Sequence, residues 1–188
     1  MNNRTALLES ALRLFAERGY DAVGVQEVCD AAGVTKPTLY HYFGSKRGLL
    51  ETLVRERYAP FVERLAQLAG YTGDLPATLQ RVVGGWFRFA GSEPRLSRLM
   101  LALWFASPAS EAVQVVAPAQ AEQRRILEEL FARAAQDHGN MRGREQAYAL
   151  TLLGMVHTYV GLALNGGPAP DDELVRRAVH QFSHGIYS

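Results

Sequence analysis

The chain has 188 residues, which is enough for one sizeable domain or for a small domain attached to a larger one. Hydrophobic residues make up 48% and charged residues 21%, ordinary proportions for a globular protein that argue against disorder. The net charge of +1 gives no support to a nucleic-acid partner through overall charge. The single cysteine, Cys29, excludes an internal disulfide and a cysteine-based zinc site, and its spacing predicts a buried structural thiol.

The N-terminus and the most apolar stretch bear on the cellular compartment. The chain begins Met1-Asn2-Asn3-Arg4 without the apolar stretch of a signal peptide, so we expect a cytoplasmic location. Residues 147–164 are the most membrane-like, but they are short for a transmembrane helix and contain polar side chains. We interpret this stretch as a core or interface helix and expect no membrane contact.

Helical spacing runs through almost the whole chain and predicts an all-α protein of about nine helices. The first four helices are predicted over 4–18, 25–32, 36–43 and 46–68. Gly33 supplies the left-handed residue that a tight turn between the second and third helices needs. Thr35 caps the third helix, and Pro37 falls in its first turn, where a missing N–H costs nothing.

Longer helices follow in the remainder of the chain. They are predicted over 77–90, 95–106, 118–138, 144–165 and 171–186. The segment 107–118 stays undecided, since its run 113–116 fits a helix, an extended loop or a kink equally well. We therefore expect an N-terminal three-helix domain over 1–47, joined by the long fourth helix to a helical body over 48–188.

The second and third helices, joined by Ala32-Gly33-Val34, form a helix-turn-helix whose second helix can enter the major groove of DNA. Leu39 and Phe43, at i and i+4, would pack back against the first two helices. The remaining side chains of the third helix offer the hydroxyl, imidazole and ammonium groups that reach base edges and phosphates. These outward positions are Lys36, Pro37, Thr38, Tyr40, His41 and Tyr42.

Lys46 and Arg47 fall in the first turn of the fourth helix, where the helix dipole disfavours each cation by roughly 0.3–1 kcal/mol. A helix N-terminus with added cations is an anion site, and the stretch 31–50 contains no acidic residue. The pattern therefore indicates a DNA phosphate here. The alternative is that Lys46 and Arg47 bind nothing and that their unfavourable interaction with the helix dipole is tolerated at the surface.

The run Ala31–Phe43, with Ser45-Lys46, Leu49 and the earlier Gly19-Tyr20, resembles the DNA-binding signature of the TetR family over about residues 5–52. The resemblance implies that Lys36, Pro37, Thr38, Tyr40 and His41 lie in the groove. It implies that Tyr42 and Lys46 hold phosphates, and Thr35 and Arg47 complete the predicted DNA-binding set. One position departs from the family: Val23-Gly24 replaces the Ser or Thr that usually caps the second helix and touches a phosphate.

The resemblance further implies a repressor that leaves a palindromic operator when a small effector binds, although the sequence does not choose between repression and activation. It also implies a homodimer formed through the last two helices. Gly154 and Gly161 permit close helix approach there. The final helix offers Leu174, Val175, Ala178, Val179, Phe182 and Ile186. The alternative is that these side chains form the core of one subunit.

Aromatic and sulfur-bearing side chains concentrate in the body, where helical spacing favours a core role for most of them. The resemblance implies that some line a pocket, and their character then suggests a largely apolar effector. The candidate effector-binding residues are Trp86, Met100, Trp104, Tyr148, Met155, His157 and Tyr159. The alternative is a regulator with a filled core and no small-molecule effector. The catalytic and phosphate-loop motifs of enzymes do not occur, so we expect no enzymatic activity and no cofactor. His180 and His184 lack an evident third ligand, so no metal site is predicted.

Overall fold

The computed structural model describes residues 2–185, and every regular element among them is helical, as predicted. The helices are α1 (Asn3–Arg18), α2 (Val25–Ala32), α3 (Lys36–Phe43), α4 (Lys46–Leu53), α5 (Ala59–Leu68), α6 (Leu75–Ser92), α7 (Pro94–Trp104), α8 (Glu111–Asp137), α9 (Glu145–Leu164) and α10 (Asp172–His184). A π-helical turn joins α4 to α5, and a short 3₁₀ turn, Gly139–Met141, precedes α9.

The chain forms two compact units. The first contains the residues up to Pro60 together with Arg95–Ala119, and the second contains Phe61–Pro94 and the residues from Gln120 onwards. The helix-turn-helix lies in the first unit, whereas α6, α9 and α10 lie in the second.

In the first unit, α1 packs against α2, α3 and α4. Its inward side chains, Leu12 and Phe15 among them, are almost completely buried. Leu39 and Phe43 of α3 are buried as well, which confirms that this side of α3 faces the core. Cys29 is fully buried, and burial raises the pKa of its thiol, as expected for a structural residue.

The long helix predicted over 46–68 is continuous but contains the π-helical turn Val54–Tyr58. Here the N–H of Ala59 donates to the carbonyl of Val54, five residues earlier. Pro60 follows directly and has no N–H to continue the ladder, so the widened turn lies next to a proline that interrupts α-helical pairing. The sequence prediction of one regular helix missed this turn.

Helix α8 resolves the segment that the sequence left undecided. It begins at Glu111, seven residues before the predicted start, and includes Pro118. Ala112 and Val116 are fully buried, so apolar burial outweighs the cost of a proline inside a helix, roughly 3 kcal/mol. The sequence prediction took Pro118 as the helix boundary and therefore placed the start of α8 too late.

In the second unit, α6 packs against both α9 and α10. Val175, Ala178 and Val179 of α10 are buried inside the subunit, and Phe182 contacts the ring of Phe131 at 6.0 Å. This side of α10 therefore forms core within one subunit. Ile186, predicted on the same helix, lies outside the described residues.

Candidate nucleic-acid interface

The turn between α2 and α3 is closed by backbone hydrogen bonds. Gly33 adopts the left-handed conformation, with φ 67° and ψ 33°, and its N–H donates to the carbonyl of Asp30. The next N–H, of Val34, donates to the carbonyl of Cys29 at 3.0 Å. A side chain at Gly33 would be strained in this conformation, so glycine fixes the angle at which α3 leaves α2.

Helix α3 has one buried side and one exposed side. Leu39 is fully buried, whereas Tyr40 and Tyr42 expose 48% and 43% of their surface. The exposed predicted DNA-binding residues are Thr35, Lys36, Pro37, Tyr40, His41 and Tyr42, and Thr38 is half-buried. Large aromatic side chains normally bury most of their surface, so their exposure on an eight-residue helix indicates a surface that meets a partner.

Lys46 has a structural role that the sequence did not predict. Its ammonium donates to the carbonyl oxygens of Tyr20 at 3.1 Å and Val23 at 3.0 Å. The same nitrogen lies 4.1 Å from the centroid of the Tyr20 ring. Two of the three ammonium N–H groups therefore hold the loop between α1 and α2, and one remains for a ligand. This contact explains how a cation is stabilised at the helix N-terminus without a phosphate.

Arg47 is more open than Lys46. Its Nε donates to Glu51 Oε1 at 2.8 Å, an i,i+4 pair in which both side chains remain more than 40% exposed. Such an exposed pair contributes little to stability, about 0.3–0.5 kcal/mol. The guanidinium therefore retains donors that a phosphate can use.

The N-terminus of α2 is capped without the hydroxyl that the family usually supplies. The Glu27 carboxylate accepts a hydrogen bond from the Gly24 N–H at 2.9 Å and another from Arg18 at 2.9 Å. The Gly24 N–H and the Arg18 guanidinium both lower the pKa of Glu27. Val23, beside Gly24, is buried and contributes to the core. Local stability is therefore retained, but a side-chain hydroxyl for phosphate is absent at Gly24.

Tyr20 is the residue whose importance sequence reasoning missed. Its ring packs on the ring of Phe15, with the two centroids 5.0 Å apart, and its hydroxyl donates to Glu111 Oε2 at 2.5 Å. Burial and the neighbouring Glu111 carboxylate raise the pKa of Tyr20. The Gly19-Tyr20 pair was visible as a match to the family pattern, but Glu111 is 91 residues away in sequence, so nothing local indicated this contact.

The seven candidate effector residues are divided between the units. Met100 and Trp104 belong to the first unit, and the other five belong to the second. The rings of Trp86 and Phe61 meet edge-on with their centroids 5.6 Å apart, and the centroids of the Tyr159 and Phe87 rings lie 6.1 Å apart.

The remaining three candidates lie on α9 and are half-buried. Tyr148 packs on Phe131 and borders a cleft of about 410 Å³ at one end of the second unit. Burial lowers the pKa of His157 to about 4. Met155 and His157 share their helix with Tyr159. Three of the five candidates of the second unit, Trp86, Tyr148 and Tyr159, thus contact aromatic rings, and Tyr148 alone of the five borders this cleft.

Comparison with known proteins finds a family match for the N-terminal helices α1 to α4, which we call the head. Residues 7–53 match the model of the bacterial regulatory proteins of the tetR family. The transcriptional activator FasR of Mycolicibacterium smegmatis is 27% identical over 182 residues, which cover 97% of this chain and 81% of FasR. The transcriptional repressor KstR2 of Rhodococcus jostii is 36% identical over 80 residues, 43% of this chain and 39% of KstR2.

A solved structure extends the similarity beyond the head. FadR from Bacillus subtilis in complex with stearoyl-CoA has a TM-score of 0.79 and 20% identity, with 97% of this chain and 99% of FadR covered. The fold is therefore shared along nearly the whole chain. Residues 7–53 therefore match the DNA-binding domain of tetR-family regulators, and beyond them the similarity is one of fold.

Proposed function

We propose that this protein is a homodimeric repressor that binds a palindromic operator and leaves it when a small, largely apolar effector binds. The observation that carries the DNA-binding part is the exposed polar and aromatic side of α3, opposite the buried Leu39 and Phe43. In the major groove this side would meet base edges, and the cations flanking it would meet phosphates.

The proposed base-reading residues are those that project from the first two turns of α3: Lys36, Pro37, Thr38, Tyr40 and His41. Thr35, Tyr42 and Arg47 would contact phosphates. Lys46 would add at most its one remaining N–H, since its other two hold the α1–α2 loop. We keep the domain limits proposed from the sequence: residues 1–47 for DNA binding, and residues 48–188 for effector binding and dimerisation.

The proposal of a dimer is supported by one side of α9, which we call the open face: Ala147, Leu150, Thr151, Gly154, Thr158 and Leu162, all exposed. Leu150 and Leu162 expose 47% and 58% of their surface. Both threonine hydroxyls donate to carbonyls of their own helix, at 2.8 and 2.9 Å, so their methyl groups complete an apolar surface. A Cβ at Gly154 would meet nothing within 4 Å, which leaves room for a second helix.

Helix α9 is also long and apolar enough to cross a membrane by length and composition alone, with 28% of its most apolar window buried. A second copy of the chain is the proposed partner, because two-fold pairing of subunits matches a palindromic operator. Two heads about 34 Å apart would reach successive major grooves on one side of the DNA.

For the effector we propose an acyl-coenzyme A or a similar long apolar molecule. FadR from Bacillus subtilis was solved with stearoyl-CoA, and it shares this fold. The proposed contacts are the seven residues named from the sequence: Trp86, Met100, Trp104, Tyr148, Met155, His157 and Tyr159. The second candidate function is a regulator with a filled core and no effector. The direction of regulation needs its own test, since FasR is named an activator and KstR2 a repressor.

DNA binding is tested by fluorescence anisotropy with palindromic fragments from the DNA flanking the gene. Tyr40→Ala should weaken operator binding by roughly tenfold or more, because one base contact contributes about 1–3 kcal/mol. Tyr71→Ala is the matched control, since Tyr71 hydrogen-bonds Asp137 in the second unit. If Tyr40→Ala and Tyr71→Ala bind the operator equally well, the assignment of α3 to the groove is wrong.

Dimerisation is tested by sedimentation equilibrium. Leu150→Glu should convert the wild-type dimer to a monomer, whereas Ala132→Glu, at an exposed site on α8, should leave it dimeric. A wild-type monomer that partitions into phospholipid vesicles would overturn the dimer and favour the membrane interpretation of α9.

The effector is tested by adding stearoyl-CoA to the operator complex. Release of the operator by stearoyl-CoA, but not by free coenzyme A, supports an apolar effector. A complex that stays intact at saturating stearoyl-CoA, and at saturating acyl chains of other lengths, favours the filled core. A reporter gene under the same operator then distinguishes repression from activation.

A further inference from the structure

Helices α6 and α10 enclose a cleft of about 380 Å³ within the second unit. Its floor is made of small or apolar residues, Ala77, Gly84 and Val175. Its rim carries three arginines, Arg81, Arg88 and Arg176, against a single carboxylate, Asp172. The volume lies within the range of small-molecule sites, about 300–1,000 Å³.

Glycine at position 84 shapes the cleft. A Cβ there would lie 3.0 Å from Nη1 of Arg88, closer than ordinary packing allows. The absence of a side chain therefore lets the Arg88 guanidinium lie along the surface of α6. Arg81 and Arg88 are seven residues apart, two helical turns, so both project from the same side of α6.

The charges on the two sides of the cleft are compensated differently. On α10, Arg176 pairs with Glu173 at 2.5 Å, and Asp172 lies near enough to favour the charged form of Arg176 further. On α6, Arg81 donates to two neutral acceptors, the Gly70 carbonyl and the Thr78 hydroxyl, both at 2.9 Å. Excess positive charge therefore remains on the α6 side.

Arg88 has the least compensated charge. Within residues 2–185 it has neither a hydrogen bond nor an ion pair, and it borders the open cleft. Guanidinium groups bind phosphate oxygens through two parallel N–H donors, and a concave wall places two such groups around one anion.

We propose that this cleft binds a phosphate-bearing anion, with Arg88 and Arg81 as the principal ligands and Arg176 at the opposite wall. A diphosphate matches the chemistry best, since two guanidinium groups on the same side of α6, two turns apart, can each take one phosphate. The diphosphate has two possible sources, a free molecule or the coenzyme A headgroup of the proposed acyl effector. Only the second source rests on the proposed function.

Calorimetric titration of the full-length protein with inorganic pyrophosphate tests the site. Arg88→Ala should weaken binding by about tenfold, as expected for the loss of a charge-assisted hydrogen-bond pair. Arg133→Ala is the matched control, since Arg133 is an exposed arginine of α8 that pairs only distantly with Glu129, at 3.9 Å. Asp172→Asn should tighten binding by about threefold, because it removes the carboxylate of the rim.

The opposite effects of Arg88→Ala and Asp172→Asn distinguish a binding site from a change in folding, since misfolding would weaken both. Competition with stearoyl-CoA then identifies the source of the anion. Displacement of pyrophosphate assigns the cleft to the effector headgroup, and simultaneous binding assigns it to a free diphosphate; both results uphold the site. Undetectable pyrophosphate binding to the wild type, or equal affinity of Arg88→Ala and Arg133→Ala, overturns it, whatever the operator assays show.

Discussion

The head and the second unit differ in which of their side chains make contacts within the chain and which remain exposed. In the head, the sequence predicts that Lys46 is a cation available to DNA, yet two of its N–H groups donate to carbonyls of the same chain. In the second unit, the sequence predicts that α9 is a core or interface helix, and its open face leaves Leu150 and Leu162 exposed. The polar group is used internally, and the apolar surface remains outside.

The two regions also differ in the size of their elements. Helices α2 and α3 have eight residues each, and Lys46 of α4 adds polar contacts to the loop that leads into α2. Helix α9 has twenty residues and more apolar surface than its own unit covers. The head is therefore held together by contacts of its own, whereas the second unit leaves apolar surface exposed.

The largest effect is expected at Lys46. Lys46→Met keeps the aliphatic stem but removes the ammonium, so the Tyr20 and Val23 carbonyls lose their donor and the ring of Tyr20 loses its cation. We expect the free energy of unfolding to fall by about 3 kcal/mol, measured by urea denaturation. Operator affinity should fall with it.

Arg47→Met is the matched control at the next position. Loss of the Arg47 guanidinium should lower the free energy of unfolding by well under 1 kcal/mol, since its ion pair with Glu51 is exposed. It should instead reduce the slope of log affinity against log salt by about 0.9 per half-site, the signature of one lost phosphate contact. Should Lys46→Met change the salt slope and leave stability intact, Lys46 would be a phosphate ligand, and the contrast between the two units would fail.

The inner side of α9 gives a pH prediction. Burial lowers the pKa of His157 to about 4, below the usual 6.5, so the unfolded chain binds this proton more readily than the folded chain. Acidification from pH 6.5 to 4 should therefore destabilise the wild type, by about 2 kcal/mol after allowance for partial exposure.

His157→Phe isolates this contribution. Thermal unfolding of the variant and the wild type is compared between pH 7 and pH 4, because carboxylates titrate equally in both proteins. The difference in stability between the two should shift in favour of the variant as the pH falls. A difference that stays constant with pH would show that His157 is open to water, like the opposite side of its helix.

The sequence predicted the parts of the fold whose signals are local. The limits of α2, the turn at Gly33 and the inward position of Leu39 follow from spacing and from backbone chemistry within a few residues. The exposed side of α3 could be predicted for the same reason. The π-helical turn before Pro60 was missed because spacing arguments count residues per turn and assume one pitch.

Long-range partners could not be predicted. Glu111 lies 91 residues from Tyr20, and the partners of Lys46 are main-chain carbonyls, which leave no trace in residue type. The arginine-lined cleft depends on α6 meeting α10, so Arg81 and Arg176 carried no signal in their own segments. Burial of α10 within the subunit was left open for this reason as well.

A smaller effect is expected at Tyr20. Tyr20→Phe keeps the ring on Phe15 and under Lys46 but removes the hydroxyl that donates to Glu111. The unfolding free energy should fall by about 1 kcal/mol at neutral pH. Because the pKa of Tyr20 is raised on folding, the unfolded chain loses the hydroxyl proton first, so the wild-type advantage should decline progressively as the pH rises above 10. Glu111→Gln is the companion variant, and an advantage that persists at high pH would rule out the assigned hydrogen bond.

The smallest effect on stability, and the most informative one for DNA, is expected at Gly24. Gly24→Ser supplies the hydroxyl that this chain lacks, and a Cβ there has room, with Glu27 Oε2 nearest at 3.9 Å. Stability should rise by only about 0.3 kcal/mol, because glycine is already a fair N-cap and Glu27 already accepts from the Gly24 N–H. Operator affinity should rise several-fold, since in the proposed complex a hydroxyl at this helix start would add a phosphate contact. Gly24→Ala is the control that adds the Cβ alone. If Gly24→Ser and Gly24→Ala bind the operator equally, the start of α2 does not face the phosphates, and the head meets DNA through α3 and Arg47 alone.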